Sequence, residues 1–204
     1  MFGEDFLQKA LVGFPVIALS LTVHEFFHAW SAMKFGDNTA RDMGRLTLNP
    51  IAHLDLMGLI VMIVSQFQFG WAKPVPVNPY NLRQPRKADF WISFAGPLSN
   101  IGMAIIAAVL LRTVGYNYFD QQSYIFQFLY LGVVINLTLA FFNLIPLFPL
   151  DGSHMLKNVL PLKYETTLEQ VDRISPFILI LLVITGGLWY IIGPFVSFSA
   201  HLLL

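Results

Sequence analysis

The chain has 204 residues, of which 56% are hydrophobic and only 12% are charged. A soluble domain carries about twice that share of charged residues, which it needs to cover its surface. The 12 Lys and Arg residues balance the 12 Asp and Glu residues, and this balance argues against a nucleic-acid partner. The composition also excludes a soluble enzyme and a disordered chain. We therefore predict one integral membrane domain over residues 1–204.

Four apolar stretches are long enough to cross a hydrocarbon core of about 30 Å, which takes about 20 helical residues. They cover approximately residues 6–35, 88–111, 124–150 and 175–204. A fifth stretch, residues 56–69, is too short for a span and contains Ser65, Gln66 and Gln68. It is typical of a re-entrant or interfacial segment. The sequence thus predicts an all-α polytopic membrane protein with about four transmembrane helices.

Two stretches between the first two spans lack a helical pattern. Residues 39–50 (TARDMGRLTLNP) and 70–79 (GWAKPVPVNP) are rich in Thr, Val, Gly and Pro. A Pro-x-Pro run removes backbone N–H donors and prevents a regular helix, which is typical of an edge strand. We expect short β-elements or hairpins at the membrane surface here. Residues 151–172 are more polar and predict a short amphipathic helix or a loop.

The distribution of basic residues predicts the orientation. Ten of the 12 Lys and Arg residues would lie on one side of a four-span protein: Lys34, Arg41, Arg45, Lys73, Arg83, Arg86, Lys87, Lys157, Lys163 and Arg173. The other side would carry Lys9 and Arg112. Because cytoplasmic loops are enriched in Lys and Arg, we predict a multi-pass protein of the cell membrane with both termini outside.

The first span contains the sequence His24-Glu25-Phe26-Phe27-His28. Two histidines at positions i and i+4 lie one above the other on a helix, so both imidazoles can reach one Zn²⁺. The carboxylate of Glu25 beside them can take a proton from a water molecule at the metal. HExxH sequences also occur by chance on exposed helices. Inside an apolar helix, however, ionisable side chains are costly unless they are paired or bound to a metal, and this favours a zinc site.

A catalytic zinc takes three protein ligands, and the sequence contains no Cys, so the third ligand must be His, Asp or Glu. Pro146 and Pro149 break the end of the third span just before Asp151. Asp151 then lies on irregular backbone at the cytoplasmic edge of the bilayer. The end of the first span that carries His24 and His28 faces the same side. His154, one turn later, is the rival third ligand. If residues 56–69 spanned the membrane, Asp151 and His28 would leave it on opposite faces.

The HEFFH motif of residues 24–28 and the NLIPLFPLDG motif of residues 143–152 together resemble the site-2 protease family of intramembrane zinc metalloproteases. The sequence FAGPLSN of residues 94–100 is similar to a further signature of that family. The resemblance implies that Asp151 is the third ligand of one Zn²⁺ per chain. It also implies substrates that are single-span membrane proteins. The chain has no room for PDZ or CBS domains, so we expect a minimal core subtype.

Other polar residues have two interpretations each. Asn100 and Asn143 either form interhelical hydrogen bonds or contact the substrate, with Asn143 also a candidate donor to the oxyanion of the tetrahedral intermediate. The edge formed by residues 70–78, with Val75 and Val77, either packs against the protein or holds an unwound substrate by β-augmentation. His53 is expected to order the cytoplasmic loop. His201 is expected to have no role in the site.

We therefore predict a zinc endopeptidase that cleaves membrane-protein substrates within or near the bilayer, with Glu25 as the general base. A membrane zinc transporter, or a metal-binding protein without peptidase activity, is the alternative. A transporter would need further acidic or His residues along a path through the bilayer. A di-iron hydroxylase would need about eight His, and the sequence has five. Glu25 argues against an inactive scaffold.

Overall fold

The computed structural model describes residues 9–65, 67 and 70–204. A π-helical turn, Lys9–Gly13, leads into helix α1, Phe14–Lys34, whose first turn contains a proline. The missing N–H of a proline costs nothing in a first turn. Together they form a 25-residue apolar helix, Ala10–Lys34, that is long enough to cross a membrane. The predicted first span began at Phe6, and its first residues lie outside the described part of the chain.

A compact region of short elements follows α1. It contains helix α2, Thr39–Asp42, a 3₁₀ turn, Pro50–Ala52, and helix α3, Leu56–Val64. Asp55 caps α3, since its Oδ1 accepts a hydrogen bond from the Gly58 N–H at 2.8 Å. With 9 residues α3 is about 13 Å long and cannot cross the bilayer. Gln66, Gln68 and Phe69 of the predicted re-entrant segment lie outside the described residues.

The prediction of short β-elements is wrong. No strand occurs in residues 9–65, 67 and 70–204. An isolated antiparallel bridge joins Leu54 and Ala72. Beside it, the Lys73 N–H donates to the His53 carbonyl at 2.8 Å. The pairing stops there because Pro74 and Pro76 have no N–H to donate. The segment from Gly70 to Asn78, which we call the extended segment, belongs to no sheet, and Pro74 and Pro76 favour an extended backbone in the residues before them.

Two long helices complete the main bundle. Helix α4, Pro85–Leu110, continues through a π turn, Leu111–Gly115, into helix α5, Tyr116–Tyr118, so that 34 residues are helical without interruption. Helix α6, Tyr124–Asn143, is capped by Ser123, whose hydroxyl accepts a hydrogen bond from the Phe126 N–H at 3.2 Å. Both are long and apolar enough to cross a membrane. The predicted second and third spans are confirmed, although α6 ends before Pro146.

The C-terminal part consists of helix α7, Asp151–Val159, a 3₁₀ turn, Leu162–Tyr164, helix α8, Glu165–Ile184, and helix α9, Gly187–Leu203. Helices α8 and α9 meet at an angle of 76°. Gly186 lies at the bend with a φ of +73°, a conformation that glycine adopts without strain. The predicted fourth span is therefore a bent pair. By length and composition the described chain has three membrane-spanning helices, or four if this pair is one span.

Helices α1, α4 and α6 pack against one another, and α9 covers the far end of α4 and α6. The contact there is built from Ala104 and Ala108 of α4, Val133 and Leu137 of α6, and Val196 of α9. Small residues let helix backbones approach closely, which is how membrane helices gain packing energy. Buried polar side chains lie at the other end of this interface, where α1, α4 and α6 meet. That cluster contains the candidate site.

Candidate metal centre

His24, His28 and Asp151 come together at the junction of α1 and α7. The Nε2 atoms of the two histidines are 2.9 Å apart. The Asp151 carboxylate approaches both, with Oδ2 at 3.3 Å from His24 Nε2 and Oδ1 at 3.4 Å from His28 Nε2. Ligand atoms of all three residues lie within 4.8 Å of one another. The predicted ligand set therefore forms one cluster.

The tautomer of His28 is set by a backbone carbonyl. His28 Nδ1 lies 2.7 Å from the carbonyl oxygen of Ile92 on α4. A carbonyl oxygen only accepts hydrogen bonds, so Nδ1 must carry the proton. In the neutral imidazole Nε2 is then unprotonated and directs its lone pair towards His24 and Asp151. A hydrogen bond of this kind orients a metal-binding histidine.

The tautomer of His24 is set in the same way through two amides. Asn100 Nδ2 donates to the Ser20 carbonyl at 3.3 Å and to Asn136 Oδ1 at 2.9 Å, so Asn100 Oδ1 faces His24 Nδ1 at 2.7 Å. Asn136 Nδ2 in turn donates to the Gly132 carbonyl at 2.8 Å. The carbonyls fix the orientation of both amides, and therefore His24 Nδ1 is also the protonated nitrogen.

This arrangement fits a cation. Two unprotonated Nε2 atoms and a carboxylate point at the same small volume, where their lone pairs repel unless a positive charge lies between them. Asp151 Oδ2 is buried and, among the described residues, accepts no hydrogen bond. Two imidazoles and one carboxylate form the ligand set of many catalytic zinc sites, which leave the fourth position open. The residues present therefore fit Zn²⁺.

Two glycines allow the elements to approach this closely. A Cβ atom at Gly96 on α4 would lie 2.4 Å from His28 Nε2, so any larger residue would push the imidazole away. A Cβ atom at Gly152 on α7 would lie 2.3 Å from the carbonyl oxygen of Leu144. Gly96 belongs to the FAGPLSN sequence and Gly152 to the LDG sequence. Both motifs thus contain a glycine for a steric reason.

Glu25 lies beside the metal ligands and contacts a distant part of the chain. Its side chain is buried, and Oε2 accepts a hydrogen bond of 2.9 Å from the backbone N–H of Val75. Val75 therefore lies directly at the candidate base. The half-buried side chain of Val77 packs against the apolar cluster that contains Ala32 and Ile92. The extended segment lies over the site without forming a strand.

Asp37 and Arg45 hold this extended segment in place. The Arg45 guanidinium donates to the Lys73 carbonyl at 2.6 Å. Asp37 is fully buried and accepts hydrogen bonds from the Asn78 N–H at 2.7 Å and from Asn81 Nδ2 at 2.9 Å. Burial alone would raise the pKa of Asp37, but bonds from Thr39, Asn81 and Asn78 lower it below its usual value. Sequence reasoning missed both residues, since neither belongs to a motif.

The remaining predicted site residues lie outside the metal cluster. Asn143 is half-buried at the end of α6, and its Nδ2 donates to the Leu139 carbonyl at 3.0 Å. His154, the rival third ligand, points to Asp89 on α4 with Nδ1 at 3.4 Å from the carboxylate. That hydrogen bond raises the pKa of His154 although burial opposes it.

Two further histidines lie away from the metal cluster. His53 is buried in the loop before α3, where its Nε2 lies 2.8 Å from the Thr47 carbonyl. His201 is exposed near the end of α9. Asn136 is a residue that sequence reasoning missed, although a signal was present. An amide in an apolar span needs a hydrogen-bond partner, and here the partner is Asn100.

Comparisons with known proteins identify the family of this chain. The profile of Peptidase family M50 matches residues 118–185. The YwhC protein of Bacillus subtilis (strain 168), named as a candidate zinc metalloprotease, is 38% identical over 95% of this chain and 91% of its own length. Rip2 of Mycolicibacterium smegmatis, named in the same way, is 29% identical over 84% of this chain and 67% of its own length. Zinc metalloprotease MJ0392 of Methanocaldococcus jannaschii is 29% identical over 74% of this chain but only 35% of its own length. No solved structure matches the chain.

The similarity to the Bacillus subtilis protein extends over nearly the full length of both chains, so the aligned region contains the positions of the histidine and LDG motifs. The resemblance to the site-2 proteases is confirmed, and zinc as the cofactor is confirmed with it. The apolar helices and the family together indicate a membrane-embedded protein. The chain belongs to peptidase family M50, a family of zinc metalloproteases.

Proposed function

We propose that this metalloprotease cleaves membrane-protein substrates within or near the bilayer. The supporting observation is the depth of the metal cluster. His24 precedes Lys34, the last residue of α1, by ten residues, so it lies about 15 Å along the helix from that end. With the apolar helix Ala10–Lys34 placed across a hydrocarbon core of about 30 Å, His24 would lie near the middle of the core. A peptide bond that reaches this cluster has to enter the membrane.

His24, His28 and Asp151 would hold the metal, and Glu25 would act as the general base. When bound there, Zn²⁺ supplies Lewis acidity to the scissile carbonyl and lowers the pKa of water. Glu25 Oε2 is engaged by the Val75 N–H, so Oε1 is the oxygen that takes the proton from the attacking water. The same carboxyl group then returns the proton to the leaving amine. Burial of Glu25 protects this proton from bulk solvent.

Asn143 and Asn100 have different parts in this proposal. Asn143 uses one N–H of its amide for the Leu139 carbonyl, and we assign the second to the oxyanion or to the substrate backbone. Asn100 is fully buried and uses both ends of its amide within the protein. We therefore assign it to holding His24 rather than to binding substrate.

The extended segment with Val75 and Val77 is the proposed substrate-contacting surface. Its support is its position next to Glu25, whose Oε2 accepts a hydrogen bond from the Val75 N–H. Since the Val75 N–H is occupied by Glu25, an unwound substrate strand would pair through other backbone groups of the segment or displace this bond. A transmembrane helix hides its amides in its own hydrogen bonds, so a surface that stabilises unwound chain favours cleavage.

We further propose that the protein is multi-pass in the cell membrane, with both termini outside and the site open towards the cytoplasm. Support comes from the ten basic residues on one side against two on the other. Its partners would be single-span membrane proteins and the lipid bilayer around it. Water then reaches Glu25 from the cytoplasmic side.

The experiment compares cells that express the wild-type chain with cells that express Glu25→Gln. The fragments of all membrane proteins are measured by mass spectrometry. Glu25→Gln keeps the size of the side chain but cannot take the proton, so we expect fragments to disappear and their parent proteins to accumulate. Glu165→Gln, the same change at an exposed residue of α8, is the matched control. An unchanged fragment pattern together with altered zinc flux would contradict the proposal and support a transporter.

A further inference from the structure

Two charged residues near the start of α4 contact α7, the helix that begins with Asp151. Arg86 and Asp89 are three residues apart, so they lie on the same face of α4. Further along α4, Ile92 accepts the hydrogen bond from His28, and Asn100 accepts the one from His24. One helix therefore contacts both histidines and also the element that carries the third ligand.

Arg86 caps the C-terminal end of α7. Its Nη2 lies within 3.3 Å of the carbonyl oxygens of Lys157, Asn158 and Leu160. The last carbonyls of a helix lack partners within the helix and carry partial negative charge. A guanidinium at this end satisfies them and holds the end of α7 against α4.

Asp89 holds the middle of the same helix. Its Oδ2 accepts a hydrogen bond from Asn158 Nδ2 at 2.5 Å and lies 3.4 Å from His154 Nδ1. Both partners are on α7, one turn apart. Neither Arg86 nor Asp89 belongs to the cluster of possible metal ligands.

The N-terminal end of α7, next to Asp151, is too tightly packed to shift. Gly152 packs so closely that a Cβ atom there would lie 2.3 Å and 2.5 Å from the carbonyl oxygens of Leu144 and Ile145. Helix α7 has 9 residues and is about 13 Å long, so it moves as a rigid rod. Because the helix pivots at the tightly packed Gly152, a change of its tilt at the Arg86 end turns the Asp151 carboxylate relative to His24 and His28.

We propose that Arg86 and Asp89 are positioning residues that set the location of Asp151 relative to the two histidines and thereby the affinity for zinc. The proposal deepens the proposed function, because it rests on the metal centre of that function. Helix α4 acts as the common support: Ile92 holds His28, and one turn earlier Asp89 holds the helix of Asp151.

The test uses the purified full chain in detergent and the variants Arg86→Gln and Asp89→Ala. Zinc affinity is measured by competition with a chelator, and the melting temperature is measured with and without zinc. The visible spectrum of the Co²⁺-substituted protein reports the ligand geometry. Lys87→Gln removes a neighbouring exposed charge from the same turn and is the control. Asp89→Asn keeps an acceptor oxygen for Asn158 and is the conservative variant.

We expect Arg86→Gln and Asp89→Ala each to weaken zinc binding by about tenfold, the lower range for residues that support metal ligands. The Co²⁺ spectrum should change, the melting temperature should fall more in the presence of zinc than in its absence, and Asp89→Asn should recover most of the affinity. Equal loss of melting temperature with and without zinc, at unchanged affinity and spectrum, would mean a structural role only and would overturn the inference. Absence of zinc binding by the wild type would instead contradict the proposed function.

Discussion

Glu25 Oε2 accepts a hydrogen bond of 2.9 Å from the backbone N–H of Val75, 50 residues further along the chain. This bond joins the candidate base of the metal centre to the extended segment. The segment is framed by Pro74 and Pro76, which have no N–H, so Val75 is the position between them that can donate. The bond fixes the rotamer of Glu25 and brings the proposed substrate surface to the base.

Val75→Pro should lower cleavage while the zinc content stays at the wild-type level. The change removes the N–H that holds Glu25. General-base catalysis typically raises the rate by about 10² to 10⁴, and we expect the variant to cleave about tenfold more slowly or worse. Val75→Ala keeps the N–H and serves as the control, with cleavage near that of the wild type. Val77→Pro separately tests pairing with the substrate, because Glu25 does not engage its N–H. Equal activity of the Pro and Ala variants at Val75 would show that the bond to Glu25 is unimportant.

Removal of any one metal ligand should remove the metal. The purified wild type should contain about one Zn²⁺ per chain by elemental analysis, as three protein ligands require. His24→Ala, His28→Ala and Asp151→Ala should each lose most of it. His154→Ala should keep about one Zn²⁺ at saturating zinc, since His154 faces Asp89 instead of the cluster. Full zinc in Asp151→Ala with loss in His154→Ala would assign the third ligand to His154.

Asn136→Leu should weaken zinc binding by about 10- to 100-fold, although Asn136 contacts no ligand. Asn136 Oδ1 holds the Asn100 amide, and Asn100 Oδ1 holds the proton on His24 Nδ1. Without Asn136, Asn100 can rotate and His24 loses its preferred tautomer. The affinity is measured by competition with a chelator. The control is Thr138→Val on the same helix, where the hydroxyl bonds only the Val134 carbonyl one turn earlier.

Protonation of Asp37 should lower the stability of the folded protein at acid pH. Hydrogen bonds lower its pKa in the folded protein below the ordinary value of 3.8. A group whose pKa is lower in the folded state stabilises the fold above its unfolded pKa, and this contribution is lost as the pH falls through the folded pKa. We therefore expect full stabilisation at neutral pH and a progressive loss below the ordinary value. The measurement is the melting temperature in detergent as a function of pH.

Asp37→Asn is the variant for the same experiment. At neutral pH it should be less stable by about 1–3 kcal/mol, because an amide cannot accept all the bonds that the buried carboxylate accepts. Its melting temperature should approach that of the wild type in acid. A difference that stays constant over the whole pH range would mean that ionisation of Asp37 contributes nothing.

The proposed orientation can be checked by cysteine labelling, since the native chain has no cysteine. Single cysteines at Asn81 and Lys163 should react with a membrane-impermeant reagent from the cytoplasmic side, and one at Asn117 from outside. All three positions are exposed and lie in short turns or near the end of a helix. Labelling of Asn81 from outside would reverse the proposed orientation or require that residues 56–69 span the membrane.

The sequence by itself was sufficient for the features that depend on neighbouring residues. Helical periodicity places His24 and His28 on one face, and the length of the apolar runs predicts the spans that end near them. The LDG motif indicates Asp151 through family resemblance. These predictions agree with the helices and with the cluster of ligands.

Only the tertiary structure decided which distant groups meet. The acceptors that orient the histidines are the Ile92 carbonyl and Asn100 Oδ1, which lie 64 and 76 residues away along the chain. The sequence leaves residues 70–78 either packed against the protein or bound to a substrate, and it does not reveal that the Val75 N–H is bonded to Glu25. The predicted β-elements failed because proline spacing shows that a helix is broken but not whether a partner strand exists. The bend at Gly186 depends on a positive φ that an apolar run does not reveal. Contacts between residues far apart in sequence depend on how the helices pack, and hydropathy and motif spacing do not contain that information.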